Sequence, residues 1–125
     1  MDRAKFEKLV EEALVHLPPK FKKHLENIAV MVEARPSPRT LRDMGASPGR
    51  TLLGLYHGVP LHHRGPYYGN IPPDVIVIYQ EPIEEFCRTD EAIKAKVREV
   101  VLHEVGHFFG MSDRELRKIE GDDDW

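Results

Sequence analysis

The sequence predicts one domain in which helices toward the two ends flank a set of short strands. Three observations carry that expectation. An apolar stripe repeats at three- and four-residue spacing near the N-terminus, two runs (NIAVMVE and DVIVIYQEP) are rich in β-branched residues, and a long helical pattern lies near the C-terminus. With 125 residues, 41% hydrophobic and 31% charged, the chain has the size and composition of a soluble globular domain spanning residues 1–125.

Phe6, Leu9, Val10, Ala13, Leu14 and Leu17 form the N-terminal stripe, and Pro18 and Pro19 end that helix. Residues 27–33 read as a buried strand. The stretch RPSPRTLRDMGASPGR holds three prolines and two glycines and reads as an irregular loop. TLLGLYHGVPLHHRG follows as two short strands with a turn near His57-Gly58. In DVIVIYQEP the unbroken run from Val75 to Tyr79 calls for cover on both faces, while Pro72, Pro73 and Pro82 at its ends suit an edge. Thr89 or Asp90 can cap the last long helix, whose buried face is Ile93, Val97, Val100, Val101, Val105 and Phe108. Gly110 suits a left-handed C-terminal turn. Ser112 with Glu115 matches a capping box opening a short helix through Ile119, and GDDDW reads as a solvated acidic tail.

The composition excludes several classes of function. A formal charge of −3 with scattered lysines and arginines offers no basic surface for nucleic acid or an anionic membrane. No apolar run approaches bilayer length, and charges throughout the first 20 residues fit neither a signal peptide nor an anchor, so a cytoplasmic protein is expected. The single cysteine, Cys87, rules out an intrachain disulfide or a multi-cysteine zinc cluster and is expected as a small buried apolar residue.

The chemistry concentrates in HEVGHFFGMSD, residues 103–113. Residues four apart on a helix differ by about 40° around its axis, so His103 and His107 face the same way and can close on one cation. Glu104 is too near His103 in sequence to ligate comfortably beside it, but it can reach a water on the same metal as general base. A catalytic zinc ordinarily takes three protein ligands. If Gly110 turns the chain back, Asp113 comes toward the open side, giving H-E-x-x-H-x-x-G-x-x-D; Glu115, Glu120 or a further water are the other candidates. For this composition H-E-x-x-H arises by chance with probability about 0.04, and adding Gly and Asp at their places lowers it to about 2 in 10,000. The longer pattern is therefore the informative one.

With LLGLYHGVPLHHRG, IPPDVIVIYQEPIEE and VREVVLHEVGHFFGMSDREL in this order, most of residues 50–117 resembles the small zincin-like metallopeptidase family of bacteria, a minimal metalloprotease-like domain. The resemblance implies a compact α+β zincin-like fold, with a small mixed β-sheet packed against the N-terminal helix and a long active-site helix. It implies zinc held by His103, His107 and Asp113, with Glu104 as base, and a peptide or protein substrate. In zincins an edge strand beside the cleft accepts extended substrate, and residues 74–80 are the candidate for it. The larger metzincins carry a methionine turn downstream of the third ligand; none of the 12 residues after Asp113 is methionine, which sets that group aside.

The reaction so implied is amide hydrolysis, with Glu104 carrying the proton from water to the leaving amine. Tyr67, Tyr68, Tyr79, His62, His63 and Arg64 are the side chains that could steady the oxyanion. Two other classes of function share the motif: a metal-binding module without turnover, and an interaction module built on an exposed strand.

Overall fold

The computed structural model describes residues 1–23, 25, 28–46, 51–58, 74–111, 114 and 115. The N-terminal stripe folds as helix α1 (Arg3–Val15). The Asp2 carboxylate accepts a hydrogen bond from Lys5 N at 2.8 Å, satisfying one of the amides that the first helical turn leaves open. Phe6, Val10, Ala13 and Leu17 are buried, and Leu9 and Leu14 pack partly buried against the same core. Beyond Pro18 the chain does not run on as loop. Pro19 opens the single-turn helix α2 (Pro19–Lys22), which seats Phe21.

Strands β1 (Ile28–Glu33), β2 (Gly54–His57) and β3 (Asp74–Tyr79) form a mixed sheet in the order β1-β3-β2. β1 runs parallel to β3, and β2 runs antiparallel to it with Gly54 opposite Ile78. The long helix α5 (Asp90–Phe108) packs on α1, β2 and β3. Its expected face, Ile93, Val97, Val100, Val101, Val105 and Phe108, is buried throughout. Strand periodicity splits β3 between two clusters: Ile76 and Ile78 join the main core with α1 and α5, while Val77 and Tyr79 meet Leu55 on the opposite face.

The sheet corrects two expectations. Residues 74–80 do not form an edge strand, because β3 is hydrogen-bonded on both sides and Gln80 already belongs to helix α4 (Gln80–Phe86). Pro82, which suggested an edge, sits instead in the first turn of α4, where a missing amide is harmless. β1, expected to be buried, alternates between covered and exposed positions, with only Val32 fully covered and Met31 48% exposed. A strand paired on one side among the described residues, with one face on the core, needs no more.

The proline-rich stretch also holds a helix, α3 (Pro38–Asp43). The Ser37 hydroxyl accepts from Thr40 N at 3.0 Å, and Pro38 occupies the first turn. Cys87 is half-buried and packs against the main core. The second strand of TLLGLYHGVPLHHRG, the S-x-x-E capping box and the acidic tail fall largely or wholly outside the described residues. No described helix is long and apolar enough to cross a membrane.

Candidate metal centre

The centre is built on the last two turns of α5. Thr89 starts the helix, its hydroxyl accepting from Ala92 N at 3.1 Å, with Asp90 and Glu91 in the first turn where the helix dipole favours acids. Gly110 ends it at φ 76°, as expected. Gly110 N donates to His107 O and Met111 N to Gly106 O, both at 2.9 Å, which is the Schellman arrangement. A side chain is strained at that φ, so a glycine there lets the chain leave the helix within one residue of its end.

On this helix the His103 and His107 rings stand 4.6 Å apart between centroids, edge to face at 76°. His107 Nδ1 lies 3.1 Å from Glu104 Oε1. One ligand atom from each of His103, Glu104 and His107 falls within 4.8 Å of the others. Tetrahedral bonds of ~2.0–2.1 Å place ligand atoms about 3.3 Å apart, so side-chain rotations of about an ångström would gather two of these groups on one ion. Imidazole nitrogen and carboxylate oxygen are the donors that zinc accepts. Glu104 is buried and its side chain 8% exposed, against 36% for His107, so the carboxylate sits deeper than the ring it touches.

The three side chains open on a cleft of ≈ 440 Å³ between α5 and the segment 51–56, with Val100, Leu52 and Met44 among its apolar lining. Along α5 the cleft face is Lys96, Glu99, Val100, His103, Glu104 and His107, a repeat of three and four residues. Lys96 Nζ pairs with Glu99 Oε2 at 2.9 Å at the far end from the histidines.

Asp113, the expected third ligand, lies outside the described residues, as do Glu120, His62, His63, Arg64, Tyr67 and Tyr68. Glu115 is exposed and is not part of the converging group. Tyr79 is 2% exposed and packs with Leu55 and Val77 on the sheet face turned away from α5. Burial first, and then the carboxylates of Glu33 and Glu104, hold its phenol above the ordinary value of 10.0, so it keeps its proton. It is not among the residues that line the cleft.

Tyr56 was not singled out by the sequence, yet it lines the cleft beside the histidines. Its hydroxyl donates to Asp74 Oδ1 at 3.0 Å, and its ring meets Phe108 edge-on at 5.9 Å. The alternation of G-L-Y-H puts Leu55 and Tyr56 on opposite faces, but nothing in it says which face the helix covers.

Comparison with known proteins agrees with this geometry. A solved structure of a conserved hypothetical protein from Thermo thermophilus is similar, with a TM-score of 0.56 and 27% identity over 98% of this chain and 100% of that one. No curated protein matches. The family model described as zincin-like metallopeptidase matches residues 25–122, a span that holds the sheet, the cleft and the whole of α5. The chain is a member of the zincin-like metallopeptidase family.

Proposed function

We propose that this protein is a zinc-dependent peptidase that hydrolyses peptide bonds in a peptide or protein substrate. His103 and His107 are two of the ligands, Asp113 is the third, and Glu104 is the general base. The observation that carries the reading is the convergence of His103, Glu104 and His107 on the wall of an open cleft. Bound zinc would supply Lewis acidity, lowering the pKa of water and polarising the scissile carbonyl.

The chain's own residues account for the rest. The rigid α5 backbone holds both imidazoles one turn apart, so little entropy is lost in bringing them together. Glu104 keeps its carboxylate at the inner wall, where it takes a proton from water and delivers it to the leaving amine. Leu52, Leu53 and Val100 make the neighbouring wall apolar, which strengthens charge interactions in the site by excluding water.

One observation supports a second reading, a metal-binding module without turnover. The Glu104 carboxylate meets His107 Nδ1 in the way that a carboxylate orients a ligating histidine. Elemental analysis of the purified protein, a peptide-library cleavage assay and the Glu104→Gln variant separate the two. As base, Glu104→Gln keeps stoichiometric zinc and loses about 10²–10⁴ in turnover. As an orienting group only, it weakens zinc about 10–100-fold. Wild-type turnover in the variant removes Glu104 from the mechanism.

A further inference from the structure

One close approach in the site involves a residue with no side chain. Gly54 opens β2 where the strand meets α5. A Cβ at this position would lie 2.7 Å from Val100 Cγ1, 3.1 Å from Glu104 Cγ and 3.3 Å from Val77 O. The first distance is one that real structures do not tolerate, and Val100, being β-branched, has little rotamer freedom on a helix with which to yield. The strand backbone is no freer to retreat. Leu53 O accepts from Tyr79 N at 3.0 Å on one side of Gly54, and Leu55 pairs with Val77 on the other.

The consequence falls on Glu104. Its Cγ is held between the helix that carries it and the β2 backbone, and the remaining torsions bring Oε1 to His107 Nδ1. Without that wall the carboxylate could swing into the cleft. We infer that Gly54 is a positioning residue: by letting β2 lie in contact with the Glu104 stem, it sets where the carboxylate stands relative to the two histidines. The inference rests on the proposed role of Glu104 but concerns geometry that exists before any metal or substrate arrives.

A methyl at position 54 must part β2 from α5 or rotate Glu104, whereas the three atoms nearest to such a methyl belong to neither His103 nor His107. The experiment is ¹⁵N NMR of the histidine side chains in the metal-free protein at one pH, with zinc content and kinetics beside it. Gly54→Ala is expected to move the His107 Nδ1 signal toward its position in Glu104→Gln. It should hold zinc in wild-type stoichiometry and lower kcat, by up to about a hundredfold, with little change in KM.

A merely structural glycine would lower the melting temperature without moving the ring signal. If Gly54→Ala does not fold, Val100→Ile enlarges the same contact from the helix side and should move the signal in the same direction. An unmoved His107 signal in the variant that folds overturns the inference. If the wild-type protein cleaves no peptide, the peptidase reading fails, and the ring signal alone still decides the role of Gly54.

Discussion

Helices α1 and α5 are built by the same rules and put to different uses. Each begins with a side-chain oxygen on an open amide, each buries an apolar stripe, and they pack on one another. The Lys5–Asp90 pair, at 2.9 Å, joins the two near their N-terminal ends. α1 has a single covered face, and the rest of its surface is solvated. α5 is covered on one side by α1 and β3 and meets β2 on another, so a second stripe, which shares Val100 with the core, lines the cleft. That stripe carries the histidines. Stability and chemistry are thus assigned to different faces of one helix, and the core face lets the cleft face be polar.

The comparison can be broken first at the shared core. Phe6→Ala empties a fully buried aromatic position between the helices and should cost about 3–5 kcal/mol in denaturant unfolding. A loss under about 1 kcal/mol would mean that the two helices do not share one core. The cleft face should behave in the opposite way. His103→Ala and His107→Ala should abolish bound zinc in elemental analysis while leaving stability in chelator within about 1 kcal/mol of wild type. Added zinc should raise the melting temperature of the wild-type protein and not of these variants. Unchanged metal content in either variant would take that histidine out of the site.

Thr89→Ala tests a smaller difference. Loss of the α5 cap should cost about 1 kcal/mol without changing zinc stoichiometry, because the site lies more than three turns away. The smallest effect belongs to the pair that joins the helices. The Lys5 ammonium, chiefly through its hydrogen bond, holds the Asp90 carboxyl below its usual 3.8, and Asp90 in turn raises Lys5 above 10.5. A depressed acid stabilises the fold above its unfolded pKa and ceases to do so as pH falls through the folded value. A raised lysine stops contributing as pH rises past its own. Asp90→Asn should therefore lower the denaturation midpoint slightly near pH 7 in low salt and not at all near pH 2, and added salt should erase the difference, since both groups are exposed. A difference that survives at pH 2 would assign the effect to the helix start instead of the ion pair.

Much of this arrangement was legible in the residues. The stripes of α1 and α5 span three turns or more, long enough for periodicity to name both the helix and its buried side. The H-E-x-x-H spacing predicts which side chains meet, because a helix fixes its own i to i+4 geometry. Short elements were not legible in the same way. α2, α3 and α4 are set by single prolines and one serine cap, signals equally at home in loops. The pairing partners of β3 depend on contacts distant in sequence, so prolines near its ends suggested an edge where the fold makes a centre. Gly54 and Tyr56 escaped for a related reason. A glycine reads as a weak strand former until a helix is laid across it, and a tyrosine in a strand gains a role only from the wall that it faces.

Gly110 has one more consequence, for the timing of motion. Final helical turns ordinarily fray, and His107 stands in the final turn of α5. The bonds from Gly110 N to His107 O and from Met111 N to Gly106 O close that turn. In hydrogen exchange the Met111 amide, although beyond the helix, should exchange at the rate of a mid-helix amide, and a substitution at Gly110 should release it. The amide just outside the helix then works as a clock for how long the second imidazole stays in place between openings.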